Sequence, residues 1–230
     1  MSTGTRAEVL ANLAAIRGGL RAACERVGRE PDSVRIVAAA KTVTAEAVRW
    51  IVEAGALDVG HNYVRELRAM RPDVPGARWH FIGTLQSGSA HHVAAAADVV
   101  QTLASPRAAQ RLARRAAEVG RRIEALIEVD LTGERTGVPP EELDAFARQV
   151  GALEGVTLTG LMTLPPIPMD PEDGRPFFAR LRGLRDRLRE HDPRVLELSM
   201  GMSLDYQVAA EEGATMVRIG TALFGPRTPQ

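Results

Sequence analysis

The feature of this 230-residue chain that most constrains its fold is a regular alternation of short apolar runs with longer amphipathic stretches. Eight runs rich in β-forming residues occur in order, at Arg35–Ala40, Leu57–Gly60, Trp79–Ile82, Val99–Leu103, Ile123–Val129, Thr157–Met162, Val195–Ser199 and Thr215–Gly220. Between them, apolar residues recur at helical spacing in Ala45–Ala54, Tyr63–Met70, Ala90–Ala97, Arg107–Val119, Glu141–Val150 and Pro176–Glu190. Strands that alternate with helices in this way pair in parallel through right-handed crossovers.

Eight such units without a polar linker predict an α/β fold in which residues 1–230 form a single-domain (β/α)8 TIM barrel. An additional helix is predicted over Ala7–Val27, ahead of the first strand. A doubly wound open sheet is the alternative architecture. The barrel prediction has a functional consequence, because barrels of this kind carry their chemistry at the carboxyl ends of the strands.

Composition argues against several classes of partner. The formal net charge at pH 7 is zero and arginines alternate with acids, as in Arg180–Glu190, so no basic face is offered to nucleic acid. No apolar run approaches the roughly 18 residues that a membrane helix needs.

The single cysteine, Cys24, and a start without a signal segment predict a cytoplasmic location. We also expect a monomer.

Polar residues gather at the predicted strand ends. In strand order, these ends carry Lys41, Asn62, Gln86, Thr102, Asp130, Met162-Thr163, Ser199–Ser203 and Arg218–Thr221. The last two loops offer hydroxyl groups and glycine backbone, and a short helix is expected to start at Thr221. In barrels this is the usual position of a phosphate site, although an ordinary turn also explains an isolated serine–glycine loop. The pairing of the two loops favours phosphate.

The chain has 29 lysine and arginine residues, and Lys41 is its only lysine. Composition bias alone would explain a shortage of lysine, so the position of Lys41 must decide its role. In a closed barrel the first and eighth strands are neighbours, which brings Lys41 close to the phosphate loops and beside Arg218. Burial and the nearby like charge would lower the pKa of its amine, as a Schiff-base lysine requires.

A phosphate site beside a reactive amine meets two requirements of pyridoxal 5'-phosphate (PLP), because its aldehyde must reach the amine while its phosphate is anchored. Arg218 is then the expected partner of the ring nitrogen. An arginine does not readily give up a proton, so the ring nitrogen would stay unprotonated and the cofactor would be a weak electron sink. This arrangement disfavours full carbanion chemistry.

At these residues the sequence resembles the pyridoxal phosphate homeostasis protein family, whose members are PLP-binding barrels related to the N-terminal domain of alanine racemase. The resemblance covers nearly the whole chain. Six ordered segments carry it, namely Val37–Thr42, Gly60–Leu67, Trp79–Ser87, Gly160–Thr163, Leu198–Ser203 and Met216–Gly225. The last of these segments is the most specific.

The resemblance implies a fold-type III PLP barrel in which Lys41 holds PLP covalently as a Schiff base. It implies that Arg218 lies near the pyridine nitrogen and that Asn62 lies close to the ring. Phosphate contacts would come from Ser199 or Ser203 with Gly220 and Thr221. The cofactor-binding set predicted on this basis is Lys41, Asn62, Ser199, Met200, Ser203, Arg218, Gly220 and Thr221. The implied function is PLP and vitamin B6 homeostasis without classical turnover, with apo PLP-dependent enzymes as acceptors.

Two positions depart from the family pattern. His61 stands where the family usually has an acid, and Gly88-Ser89 stand where it usually has asparagine and lysine. The first change could alter a neighbour of the cofactor, although a hydrogen-bonding loop histidine is the simpler interpretation. The second removes a positive side chain at the barrel mouth and bears on the transfer of PLP to acceptors. His80 is predicted to be a satisfied barrel residue, and His91-His92 to be surface residues.

Two other functions remain open on the sequence. An amino-acid racemase needs a second proton donor opposite the lysine, which a tyrosine from an additional C-terminal domain supplies in alanine racemases. This chain ends at Gln230 after the eighth unit, and neither of its tyrosines, Tyr63 and Tyr206, occupies such a position. We therefore expect a non-catalytic carrier. The third hypothesis is a sugar-phosphate barrel without PLP, in which Lys41 forms a Schiff base with the substrate.

Overall fold

The computed structural model describes residues 4–134 and 136–226, and these form a closed parallel barrel. The strands are β1 (Arg35–Ala39), β2 (Asp58–His61), β3 (Arg78–Phe81), β4 (Val99–Leu103), β5 (Ile123–Glu128), β6 (Val156–Met162), β7 (Glu197–Ser199) and β8 (Met216–Ile219). Each strand pairs in parallel with the next, and β8 pairs with β1 through the register Ala38 to Ile219. The (β/α)8 prediction is confirmed, and the open-sheet alternative is wrong.

The helices surround the barrel. They are α1 (Arg6–Arg26), α2 (Ala45–Glu53), α3 (Val64–Met70), α4 (Ala90–Ala96), α5 (Pro106–Glu118), α6 (Leu143–Gly151), α7 (Arg175–Arg189), α8 (Tyr206–Glu211) and α9 (Thr221–Phe224). Short 3-10 helices occupy Arg71–Asp73 and Pro171–Gly174. The predicted helices are all present, with ends shifted by one or two residues.

Local sequence explains where these helices start and which face they bury. The side chains of Thr44 and Ser105 accept hydrogen bonds from the third residue of α2 and α5, respectively, and so satisfy amides that have no partner within the helix. In α5, the buried face consists of small residues around Leu112, spaced three and four apart. Small side chains on this face let the helix approach the sheet closely.

The additional N-terminal helix covers the junction where the barrel closes. Thr5 and Glu8 form a capping box that starts α1. Its buried residues, including Leu13 and Leu20, lie on the side that packs against α2, α8 and α9. Because these three helices flank β1 and β8, α1 braces the two strands whose ends carry the predicted site.

The inside of the barrel combines an apolar layer with polar side chains. Val37, Val99, Leu126, Met162 and Met216 pack together as an interior cluster. Buried polar and charged residues are also present, namely Asp58, His61, His80, Gln101, Thr102, Glu128, Thr163, Ser199, Asp205 and Arg218. Among the residues described, no helix is long and apolar enough to span a membrane.

Candidate functional site

A cavity of about 830 Å³ opens at the carboxyl ends of the strands. Its wall consists of strand-end residues and three loops: Ala39, Asn62, Ile82, Met162, Leu164, Ile167, Pro168, Met202, Ser203, Leu204, Asp205, Arg218, Gly220, Thr221, Ala222 and Pro226. Four of the predicted site residues, Asn62, Ser203, Gly220 and Thr221, therefore lie together with Arg218. The cavity is mostly apolar, with polar groups concentrated on one side, as is usual for cofactor sites.

The loop after β7 and the start of α9 form one end of the cavity, which we name the β8 cradle (Ser203 and Gly220–Ala222). The hydroxyl of Ser203 accepts a hydrogen bond of 3.2 Å from the amide of Ala222, and its own proton remains available. The amides of Gly220 and Thr221 donate to no atom within residues 4–134 and 136–226. Two amides that have no acceptor among the described residues, and a hydroxyl, thus line the same end of the cavity, which suits this end to an anion.

Arg218 is the cationic group that faces the cavity, and it is only 5% exposed. Its Nη1 donates to the carbonyl oxygen and to the hydroxyl of Ser199, at 2.8 and 2.7 Å, and Nη2 donates to the carbonyl of Thr163 at 2.8 Å. Burial lowers the pKa of Arg218 to about 10, against the opposing charges of Glu128 and Asp205. The group therefore stays cationic at neutral pH, with donors left for a ligand.

The structure separates Ser199 and Met200 from the cradle. The Ser199 hydroxyl is fully buried, donates to Gln101 at 2.6 Å and accepts from Arg218, so it has no proton left for a phosphate. Met200 is fully buried in the large apolar cluster outside the interior cluster. Both were predicted to contact the cofactor, yet neither lines the cavity in the part of the chain that is described. β7 ends at Ser199, so Ser199 belongs to the buried strand, whereas Ser203 lies in the loop that lines the cavity.

Lys41 lies two residues beyond the end of β1, which is the strand next to β8, as predicted. It is half-buried, and its Nζ lies 5.6 Å from the centroid of the Tyr63 ring. The described wall of the cavity includes Ala39 and not Lys41. The expected burial against Arg218 is therefore not found, because a cation–π contact holds the ammonium group beside Tyr63.

The backbone after Lys41 is unusual. Thr42 has a φ of 63°, in the left-handed region, which is rare for a β-branched residue and costs about 1–3 kcal/mol. The strain is located at the joint that aims the only lysine of the chain. No sequence pattern predicts this left-handed backbone conformation at Thr42.

Asn62 reaches the cavity because Gly83 leaves room for its backbone. A Cβ atom at Gly83 would overlap the carbonyl oxygen of Asn62 and would lie 2.7 Å from its carbonyl carbon. We expect Gly83→Ala to reduce the free energy of unfolding by about 1–3 kcal/mol, because two backbones must move apart. Urea denaturation measures this. Gly88→Ala is the matched control, since nothing lies within 4 Å of its added Cβ, and its change should stay within about 0.5 kcal/mol.

His61 points away from the cavity, although Asn62 beside it lines the wall. Its ring is 1% exposed and stacks on Trp79 with centroids 6.1 Å apart. Neither ring nitrogen makes a hydrogen bond with the described residues, and Nδ1 lies 3.5 Å from the Glu66 carboxylate. The prediction of a hydrogen-bonding loop histidine is therefore wrong. Burial lowers the pKa of His61, and the charge of Glu66 opposes this effect.

His61 should make the protein sensitive to acid. Its folded-state pKa lies below the unfolded value of about 6.5, so the folded protein takes up this proton less readily. The stability due to the neutral ring is complete above about pH 6.5 and is lost as the pH falls toward the folded-state pKa. We expect His61→Phe to be about 1 kcal/mol more stable at neutral pH, because two unpaired polar atoms are removed, and to lose less stability on acidification.

Urea denaturation near neutral pH and at an acidic pH tests this expectation. His91→Phe is the control, because His91 is exposed on α4 and should leave the pH dependence unchanged. Equal losses of stability on acidification in the native protein and in His61→Phe would contradict the expected role of His61. The exposure of His91 and His92 confirms their predicted surface position.

Two polar residues of the barrel interior were not predicted from the sequence. Asp58 and Gln101 are buried and hydrogen-bond to His80, at 2.7 and 2.8 Å. His80 is a satisfied barrel residue, as predicted. The signal that could have identified them is a polar side chain within a short strand that is buried along its whole length.

Fold and site together define a (β/α)8 barrel with an anion-suited cradle after β8 and a single lysine after β1. Its class is that of the alanine racemase barrels, since the family model described as alanine racemase, N-terminal domain, matches residues 11–228. Within that class, the chain belongs to the pyridoxal phosphate homeostasis protein family. The member from Aquifex aeolicus is 40% identical over 213 residues, which cover 90% of this chain and 93% of that protein.

Other relatives agree over the same extent of chain. The pyridoxal phosphate homeostasis protein of Escherichia coli K12 is 36% identical, with 96% of this chain and 97% of that protein covered. The solved structure of PipY from Synechococcus elongatus PCC7942, with PLP bound, is 34% identical and superposes with a TM-score of 0.83. It covers 94% of this chain and 100% of the PipY chain.

Proposed function

We propose that this chain binds PLP covalently through Lys41 and serves PLP and vitamin B6 homeostasis with little or no catalysis. The observation that carries the proposal is the placement of the only lysine beside β8, whose end combines Arg218 with the β8 cradle. The PLP held by PipY, at 34% identity, supports the same ligand here. We further propose that residues 1–230 act as a single barrel domain.

The residues present fit PLP at each of its polar ends. The amides of Gly220 and Thr221, which have no acceptor in the part of the chain that the structure describes, and the Ser203 hydroxyl suit the phosphate, which must be held by donors. The remaining N–H donors of Arg218 suit the ring nitrogen, which then accepts a hydrogen bond. Asn62, which follows β2, lines the wall on the other side of β1 from these groups. An apolar wall fits the ring itself.

When bound, PLP supplies an aldehyde that can condense with an amine. The amine of Lys41 would attack the aldehyde carbon, and water would leave as the C=N bond forms. For this step Lys41 must leave Tyr63 and lose a proton, since only the neutral amine is a nucleophile. In the structure the Nζ of Lys41 lies 5.6 Å from the centroid of the Tyr63 ring, so the side chain has to swing away from this ring to reach the aldehyde.

The alternative function, an amino-acid racemase, is less well supported. Tyr63 lies on the same side as Lys41, and the Tyr206 hydroxyl packs toward Gly19 of α1 and accepts from Gln207. Neither tyrosine lines the described cavity, so neither is positioned as an opposing proton donor. A cationic Arg218 also keeps the ring nitrogen unprotonated, which weakens carbanion stabilisation. Following D-alanine formation from L-alanine by chiral analysis would separate the two functions.

The test is reduction of the protein–PLP mixture with borohydride, followed by mass spectrometry of the peptides. We expect one PLP adduct, on the peptide that carries Lys41. Recovery of no adduct, with phosphate alone bound, would overturn the proposal and favour a sugar-phosphate barrel. Transfer of PLP to apo enzymes, a cytoplasmic location and a monomeric state stay predictions.

A further inference from the structure

A continuous line of hydrogen bonds crosses the barrel interior from the cavity to the opposite end. We name it the interior relay (Arg218, Ser199, Gln101, His80 and Asp58). From Arg218 the successive distances are 2.7 Å to Ser199, 2.6 Å to Gln101, 2.8 Å to His80 and 2.7 Å to Asp58. All five residues are buried, with exposed fractions from 0 to 7%. The relay thus links five strands away from water.

The Asp58 end of the relay carries a negative charge. Burial acts to raise the pKa of Asp58, but the hydrogen bond from His80 and the charges of Arg35 and Arg78 outweigh it and lower the pKa. Both arginines lie 3.7 Å from its Oδ1. Asp58 is therefore a carboxylate, which can only accept hydrogen bonds. His80 Nε2 must then carry a proton.

The state of the remaining groups follows from that proton. The amide nitrogen of Gln101 lies 2.8 Å from Nδ1 of His80 and can only donate, so Nδ1 is an acceptor and the ring is neutral. Burial acts in the same direction, because it lowers the pKa of His80 against the opposing effect of Asp58. The amide nitrogen of Gln101 donates to Nδ1, which turns its oxygen toward the Ser199 hydroxyl. Ser199 gives its only proton to Gln101 and offers its lone pairs to Arg218. Every donor points the same way, from the cation to the carboxylate.

We propose that Gln101 is a positioning residue which, through Ser199, fixes the guanidinium of Arg218 in the orientation presented to the cavity. His80 and Asp58 set the direction of the Gln101 amide. Hydrogen bonds that all point the same way strengthen one another in a dry interior, so a change at one member is felt at the cavity. For its ligand the inference rests on the proposed function, whereas the relay itself is a property of the protein without ligand.

The first test needs no ligand. Two-bond ¹H–¹⁵N correlation spectra of the unloaded protein should show His80 neutral, with its proton on Nε2, near neutral pH. Gln101→Glu replaces the donor facing Nδ1 by an acceptor, so His80 should become doubly protonated. Gln149→Glu, an exposed isosteric change on α6, should leave His80 unchanged. A native His80 that is charged or protonated on Nδ1, or no response to Gln101→Glu, would overturn the proposal.

The second test uses PLP. Gln101→Leu and Ser199→Ala each break the relay above His80, and we expect each to weaken PLP binding about tenfold or more, since Arg218 loses its fixed orientation. Both should also shift the pH dependence of the PLP absorbance band in the same direction, which mere loss of packing would not do. Binding within twofold of native in both variants would refute the positioning role. If native protein fails to bind PLP at all, the proposed function fails, while the spectra of unloaded protein still test the relay.

Discussion

Replacing Lys41 with arginine is expected to abolish the borohydride-stable PLP adduct entirely. Arginine keeps the positive charge and the contact with Tyr63, but it stays protonated and cannot act as the amine nucleophile. Because Lys41 is the only lysine, no other side-chain amine in the chain can replace it. Intact mass after reduction with PLP measures the effect, and binding of inorganic phosphate should be retained.

A double variant provides the matched control for this prediction. Lys41→Arg combined with Arg49→Lys restores one lysine to the chain, on the exposed face of α2, where Arg49 donates to the carbonyl of Asp73. We expect no adduct in this variant. An adduct in the same yield as in the native protein would show that a lysine elsewhere on the surface also reacts with PLP, and that the position at the end of β1 has no special role.

The second large effect is expected at Arg218. In Arg218→Ala, the carbonyls of Ser199 and Thr163 each lose a hydrogen bond from the guanidinium, and the charges of Glu128 and Asp205 lose a buried cation. Breaking a buried charged network in this way costs about 3–5 kcal/mol of unfolding free energy. Urea denaturation of the unloaded protein measures it, without any contribution from a ligand.

Arg122→Ala is the control for that experiment. Arg122 is exposed, and its one described hydrogen bond, to the Thr157 hydroxyl, is 3.5 Å long. Its replacement should change stability by less than about 0.5 kcal/mol. A cost below about 1 kcal/mol in Arg218→Ala would mean that the cation is not held by the barrel interior.

The departures from the family pattern act at different distances from the site. His61 faces the layer between the barrel and its helices, so it bears on stability and acid sensitivity more than on ligand contact. Gly88 stands in open space, and the Ser89 hydroxyl donates to the carbonyl of Gln86 ahead of α4. Neither residue lines the described cavity.

Much of the candidate site could be predicted because it depends on the order of strands. Closure of the barrel makes β1 and β8 neighbours, so Lys41, Arg218 and Gly220 had to lie at the same end. The surroundings of Ser199 could not be predicted in the same way. Whether a residue of a short strand faces a loop or the interior depends on where that strand ends, and β7 ends at Ser199.

The sequence by itself determined the eightfold barrel, the position of its lysine and the resemblance to its family, because alternation and strand order are properties of neighbouring residues. Only the tertiary structure decided that Lys41 rests against Tyr63 and that Gln101 and His80 join Arg218 to Asp58. These contacts join strands far apart in the chain. They depend on the tilt and register of the closed sheet, which no local pattern encodes.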